Sequence, residues 1–188
     1  AHAEKVLGEV LRFDHPADAV VSRYFREHRE LGHADRGFVA ETVFAVLRRK
    51  RSLEARCGER PTPRQLVLAA LAFAFGWNLR QLEAVLKASE TDWLAAAKAV
   101  READLPPAVR CDLPDWLYGA LVAQFGEGET LALARGMNQP APLDLRVNDL
   151  KTSRAAVLER LAGDGIAAVA GALSPLAVRL ADKPALAK

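Results

Sequence analysis

The chain has 188 residues, of which 51% are hydrophobic and 27% charged, and its formal net charge is +2. This apolar content excludes a largely disordered chain, because burial can offset the entropy lost on folding. The longest apolar run, residues 66–77, is too short for a membrane span, which needs about 20 residues. Two cysteines, Cys57 and Cys111, are too few for a disulfide framework or a zinc site, so we expect a cytoplasmic protein.

Residues 1–104 are predicted to form an all-α bundle. Thr62, Pro63 and Gln65 form a capping-box pattern that begins a helix, and this helix is apolar almost all round, as expected at the centre of a bundle. Other stretches carry an apolar face at helical spacing. The predicted helical stretches, including the central one, are residues 6–11, 17–31, 38–47, 66–75, 79–86 and 93–100.

The pattern changes after residue 104. Two consecutive prolines favour a linker over residues 105–112. A helix then begins near Pro114 and breaks at Gly126 and Gly128. Strict apolar–polar alternation over 143–148 predicts a half-buried strand. The remaining predicted elements are a helix capped by Thr152 or Ser153 and two short strands, residues 166–169 and 177–180. Residues 113–188 are therefore predicted to be a small α/β subdomain, which is incomplete because so few strands cannot cover both faces of a sheet.

Two segments resemble a known enzyme family. Residues 112–117, DLPDWL, resemble the LP.WL helix start of the RsmB-type (Sun/Fmu) rRNA cytosine-5 methyltransferases. Residues 138–151, NQPAPLDLRVNDLK, are similar to the pattern N-x-P-x-P-L-x-L-R-V-N-x-L-K, found in the small RNA-binding domain ahead of that family's catalytic domain. Upstream, residues 35–53 are similar to a helix of the NusB-like domain that precedes it, whereas residues 78–100 diverge from that domain.

The resemblance implies a mainly α fold, with a NusB-like bundle followed by an RRM-like α/β subdomain. It also implies a parent enzyme that uses S-adenosylmethionine to methylate a cytosine in rRNA. No glycine-rich S-adenosylmethionine loop is present, and the contexts of Cys57 and Cys111 differ from the catalytic cysteines of the family. We therefore expect this part to be non-enzymatic, without a cofactor, and to be a monomer. Its expected partners are rRNA and its own C-terminal catalytic domain.

A basic segment is the first candidate RNA contact. Between residues 36 and 64, eight basic residues face three acidic ones, and such a local excess of positive charge is typical of RNA binding. The alternative is a solvated helix end, where cations interact favourably with the helix dipole. The candidates in this segment are Arg36, Arg48, Arg49, Lys50 and Arg51.

The second candidate contact comprises Arg146, Asn148 and Lys151, on the outward face and at the exit of the predicted strand. They are predicted to contact either the RNA backbone or the catalytic domain. In the alternative, Asn148 caps a turn and Arg146 pairs with Asp144 or another neighbour.

Other chemistry is less well supported by the sequence. His28 and His33 do not share a helix face, so no metal site is expected. The three tryptophans could stack on bases but occupy apolar-periodic positions, so we expect them in the core. Two other functions remain open: a stand-alone NusB-like RNA-binding or antitermination-type protein, and a protein–protein scaffold.

Overall fold

The computed structural model describes residues 1–139 and 141–182. Internal contacts divide the chain into two compact units, Ala1–Asn138 and Gln139–Lys188. The first is helical, and the second contains one helix and a three-stranded sheet in its described part, which confirms the predicted fold class. Pro140 of the 138–151 signature, and residues 183–188 at the end of the predicted subdomain, lie outside the described residues.

The first unit is built around a buried central helix, as the sequence predicts. The capping box forms: the Thr62 hydroxyl accepts from the Gln65 amide at 3.3 Å, and the Gln65 side chain accepts from the Thr62 amide at 2.9 Å. The helix continues into a π-helical turn over Ala70–Ala74. Its residues contribute to two apolar clusters, because Leu66 and Ala69 face one and Leu68 faces the other.

The central helix, Pro63–Ala69, is α5 of the nine α-helices described in this unit. In chain order the helices of the first unit are α1 (His2–Val10), α2 (Ala17–Glu27), α3 (His33–Arg48), α4 (Lys50–Cys57), α5 (Pro63–Ala69), α6 (Leu79–Glu83), α7 (Thr91–Ala99), α8 (Pro107–Arg110) and α9 (Asp115–Met137). The apolar stripes of α1, α2 and α3 are buried together in one cluster. None of the described helices is both long and apolar enough to cross a membrane.

The segment predicted as a linker, residues 105–112, has a folded structure. Leu105, Ala108 and Cys111 are buried, and the prolines begin α8 instead of interrupting the chain. Proline is well suited to the first turn of a helix, where its missing N–H is not needed. The contact-based division falls at residues 138–139, so the proposed domains 1–104 and 113–188 stay a prediction.

Helix α9 is bent at the position where a break is predicted. Gly126 has φ 79° and ψ 167°, a conformation that glycine tolerates best, and it separates two helical arms. Apolar residues of both arms, among them Leu121 and Leu131, pack on the small cluster around Cys111. Trp116, by contrast, is 74% exposed, so its expected place in the core is wrong. Trp93 does pack on the two main clusters.

The second unit is a split β-α-β arrangement. Its elements are β1 (Leu143–Arg146), α10 (Arg154–Gly163), β2 (Ala168–Ala170) and β3 (Ala177–Leu180). β3 lies between β1 and β2 and is antiparallel to both. The predicted alternation is confirmed, because Leu143 and Leu145 are partly buried and Val147 is buried, whereas Asp144 and Arg146 are exposed. α10 begins at the predicted Ser153 cap and covers one face of the sheet.

Candidate nucleic-acid interface

Two of the segments that carry the family resemblance, residues 35–53 and 112–117, meet inside the first unit. Residues 48–51 span the junction of α3 and α4, where the N-cap residue Arg49 makes no side-chain cap. Asp112, 60 residues later in the chain, caps the start of α4 instead. Its carboxylate accepts from the Ser52 amide at 2.7 Å and from the Ser52 hydroxyl at 2.8 Å. A carboxylate at a helix N-terminus satisfies a free amide and interacts favourably with the helix dipole.

Arg51 forms the second link between these segments. Its Nη1 donates to the Leu113 carbonyl and, at 2.9 Å, to the Asp115 carboxylate. The guanidinium side chain is one-third exposed, while Asp115 is largely exposed. Because Arg51 is engaged by the backbone as well as by a carboxylate, its first role is to hold α4 against the start of α9.

The other predicted cations of the basic segment also have partners, with one exception. Arg48 pairs with Glu41 at 2.7 Å, and Lys50 pairs with Glu54 at 2.6 Å. Arg36 donates to the Leu31 carbonyl at 2.9 Å and lies over the Phe25 ring. In the described part of the chain, the Arg49 side chain makes neither a hydrogen bond nor an ion pair.

Further along the segment, two arginines are also held by neighbours. Arg56 donates to the Val100 carbonyl and lies 4.6 Å from the Phe73 ring centroid. Arg64 makes two short hydrogen bonds to Glu90, at 2.5 and 2.8 Å. This contact lowers the pKa of Glu90 to about 2, although burial acts in the opposite direction and raises it. Most of the excess cations of this segment are therefore engaged in contacts within the bundle.

The second candidate contact differs, because its two cations are exposed. Asp144 is bound by Arg179 through two hydrogen bonds of 2.7 and 2.8 Å, so the proposed pairing of Arg146 with Asp144 does not form. Arg146 ends β1 with its side chain exposed, and Lys151 is exposed in the turn that follows. Among the described residues, neither has an ion-pair partner.

Asn148 shapes the turn between these two cations. Its side-chain oxygen accepts from the Leu150 amide at 3.2 Å, and its carbonyl accepts from the amides of Lys151 and Thr152. This is the turn-capping role that the alternative interpretation predicted. Asn148 therefore positions the exposed backbone and Lys151 whether or not it also touches a ligand.

Neither cysteine has the surroundings of a nucleophile. Burial, followed by the nearby Glu54 carboxylate, raises the pKa of the Cys57 thiol to about 12. Burial also raises the pKa of the Cys111 thiol. A cysteine attacks as the thiolate, so a raised pKa disfavours covalent catalysis at either position.

The roles of Ser52 and Asp112 were not identified from the sequence. An aspartate beside the start of α9 indicates a local cap, whereas Asp112 caps a helix 60 residues earlier in the chain. No spacing rule connects two positions so far apart in the chain. The only signal in the sequence is that each lies in a segment with family resemblance.

The C-terminal part is similar to a known domain family. Residues 113–186 match the family described as the ferredoxin-like domain of RsmF/B-like methyltransferases. The resemblance seen in the sequence is thereby confirmed, and the split β-α-β unit with its exposed cations lies within that family domain.

A curated relative covers almost the whole chain. The chain is 29% identical over 210 residues to a probable ribosomal RNA small subunit methyltransferase B from Synechocystis sp.. The alignment covers 95% of this chain and 47% of the relative, so the chain spans about half the length of the curated relative it matches.

Proposed function

We propose that this chain is the RNA-binding and RNA-positioning N-terminal region of an S-adenosylmethionine-dependent rRNA cytosine-5 methyltransferase. The observation that carries the proposal is the pair of exposed, unpaired cations Arg146 and Lys151, which flank a capped turn inside the family-matched domain. Free cations at fixed spacing suit contacts with phosphate groups, which position a nucleic acid without reading its sequence.

In this proposal Arg49 adds a contact in the first unit. It lies at the α3–α4 junction, where the neighbouring cations Arg48, Lys50 and Arg51 are engaged by carboxylates. Those pairs still contribute partly exposed donors, but an RNA phosphate must compete with the carboxylate already bound. Arg49 makes no direct ion pair among the described residues, and the carboxylate that interacts with its charge, Asp112, is hydrogen-bonded to Ser52.

We assign the chemical step to the parent enzyme and not to this region. The relative is described as a small-subunit rRNA methyltransferase, which supports rRNA as the substrate of the parent. The raised pKa values of Cys57 and Cys111 support a region that binds RNA without attacking it. S-adenosylmethionine would then be bound outside these residues, by a catalytic domain that is also the second partner. We further propose that the region is monomeric and works in the cytoplasm.

The direct test is fluorescence anisotropy with a labelled hairpin from small-subunit rRNA at two salt concentrations. We expect micromolar binding, on the order of that of other phosphate-directed proteins, which weakens steeply as salt rises. Arg49→Glu should weaken binding by several-fold. Arg12→Glu is the matched control, because it makes the same change in net charge at an exposed residue outside both candidate contacts. Equal losses in the two variants, or no binding at low salt, would contradict the proposal.

A protein-docking role is the second candidate, and the exposure of Trp116 favours it. A tryptophan that is 74% exposed at the start of α9 is unusual on a surface used only for charge contacts. If docking is the main role, RNA binding will be weak and insensitive to salt, and Trp116→Ala will weaken association with the catalytic domain. A stand-alone NusB-like RNA-binding or antitermination-type protein has no comparable structural support.

A further inference from the structure

Three metal-binding side chains converge in the first unit. His2 lies in the first turn of α1, His28 follows the last residue of α2, and Glu30 lies in the next turn. Each offers one ligand atom, and these atoms all lie within 4.8 Å of one another. The sequence, judged from the spacing of His28 and His33, predicts no metal site, and this cluster brings His28 together with His2 and Glu30 instead.

Hydrogen bonds hold both imidazoles in the arrangement that metal binding requires. The Nδ1 atom of His28 donates to the Tyr24 carbonyl at 3.0 Å, because a carbonyl can only accept. A neutral His28 therefore has its lone pair on Nε2. The Nδ1 atom of His2 lies 3.0 Å from the Tyr24 hydroxyl, so the Nε2 atom of His2 is again the nitrogen available to a metal. Metal-bound histidines are usually fixed in this way through their second nitrogen.

Tyr24 anchors this pair of histidines to the core. Its side chain is only 3% exposed, and its ring stacks on the His28 ring with centroids 3.8 Å apart and planes 10° apart. His2 is packed edge-on against His28, at 5.6 Å between centroids. Two ligands are therefore held by packing, while the third, Glu30, is exposed and free to adjust.

We propose that His2, His28 and Glu30 form a zinc site, with both histidines binding through Nε2 and a water completing the coordination. Two imidazoles and one carboxylate suit Zn²⁺, whereas Mg²⁺ prefers oxygen ligands alone. Neighbouring ligand atoms in a tetrahedral zinc site are about 3.3 Å apart, so metal binding requires a small movement that brings the three ligands together. Rotation of the exposed Glu30 side chain provides much of this movement.

Zinc bound here acts as a clip between the start of α1 and the end of α2. Both helices contribute to the main apolar cluster, through residues such as Val6 and Val20. A ligand that binds the folded state alone raises its stability in proportion to the logarithm of the ligand concentration. The site shares no residue with the proposed RNA contacts, so its existence does not depend on the proposed function.

The test is calorimetric titration of the metal-free protein with Zn²⁺, together with its thermal melting curve. We expect one zinc per chain and a melting temperature that rises with zinc and not with Mg²⁺. His28→Gln and Glu30→Gln should each lower the affinity by at least tenfold, which is the smallest loss seen even for outer-shell partners. Glu30→Gln changes an exposed residue, so it tests the site even if His28→Gln fails to fold.

His15→Gln and His33→Gln are the matched controls, since both histidines are exposed and lie outside the cluster. They should bind zinc as the unchanged protein does. Co²⁺ substitution adds a check on the ligands, because binding through Cys57 or Cys111 would produce a thiolate charge-transfer band. That band, the absence of one-to-one binding, or an unchanged affinity in both cluster variants would overturn the proposal.

Discussion

The basic segment at the α3–α4 junction and the turn after β1 differ in how their cations are used. At the junction, Arg48, Lys50 and Arg51 each bind a carboxylate, and Arg51 also binds a backbone carbonyl. After β1, Arg146 and Lys151 are exposed and have no ion-pair partner among the described residues. Of the four cations at the junction, only Arg49 has no ion-pair partner among the described residues, whereas both cations of the turn have none.

This difference shows what a count of charges does and does not predict. A run of cations indicates either a ligand surface or a set of internal contacts, and the sequence does not reveal which carboxylates lie nearby. In this chain, the acidic partner of Arg51 comes from a segment 64 residues later. We therefore expect the junction to be mainly structural and the cations of the turn to be mainly free.

Loss of the Asp112 carboxylate should have the largest effect on stability. Asp112→Ala leaves the Ser52 amide and hydroxyl without their partner, and it places alanine at a φ of 55°. A lost helix cap and an unfavourable backbone conformation together cost about 2–3 kcal/mol. Urea denaturation of the two proteins measures this difference in the free energy of unfolding.

Asp112→Asn is the control for that prediction. Asparagine tolerates positive φ and keeps one oxygen acceptor for Ser52. Burial raises the pKa of the Asp112 carboxyl, so removing its charge also relieves a desolvation penalty. We expect a loss below about 1 kcal/mol. A loss equal to that of the alanine variant would mean that the carboxylate charge, and not the cap geometry, stabilises the junction.

The Arg64–Glu90 pair should give the bundle a measurable pH dependence. Glu90 has its pKa lowered to about 2 from an ordinary value of 4.5, chiefly by hydrogen bonding to Arg64. The pair therefore stabilises the fold above pH 4.5, and this stabilisation is lost as the pH falls toward 2. Solvent screening reduces its size, and we expect Glu90→Gln to lose about 1–2 kcal/mol at pH 7.

The measurement is the free energy of unfolding of both proteins between pH 7 and pH 2.5. The two curves should converge as the pH falls, because protonation of Glu90 removes the interaction that the substitution has already removed. A constant gap between the curves would show that Glu90 acts by packing and not by charge.

Single arginine substitutions should separate the engaged cation from the free ones. Arg51→Ala loses the hydrogen bond to the Leu113 carbonyl and the pair with Asp115, at a cost of about 1 kcal/mol. Arg49→Ala and Arg146→Ala should each stay within about 0.5 kcal/mol of the unchanged protein, as is usual for unpartnered surface residues. Thermal or chemical denaturation checks this order, and similar losses at all three positions would remove the distinction.

The sequence predicts local features well because short-range physics determines them. The Thr62 capping box, the break at Gly126, the alternation of β1 and the Ser153 cap all depend on neighbours within a few residues. These features, with the family-like motifs, also suffice for the mainly α class and the small α/β part.

The features that the sequence does not predict depend on distant contacts. The prolines of residues 105–112 favour a linker locally, but burial of Leu105 and Ala108 makes the segment part of the first unit. Trp116 occupies an apolar-periodic position, yet the inner side of α9 is filled by other residues. Asp112 and Ser52 are brought together only by the tertiary fold.

The most direct test of the account is the salt dependence of RNA binding in two double variants with equal loss of charge. Arg146→Gln/Lys151→Gln removes the free cations, and Arg48→Gln/Lys50→Gln removes two that are already paired with carboxylates. In plots of log affinity against log salt, the slope of the first variant should be shallower by about two, because each lost phosphate contact reduces its steepness by about one. The second variant should leave the slope nearly unchanged. The reverse order would mean that RNA binds mainly through the cations already paired with carboxylates, and it would contradict the distinction between engaged and free cations.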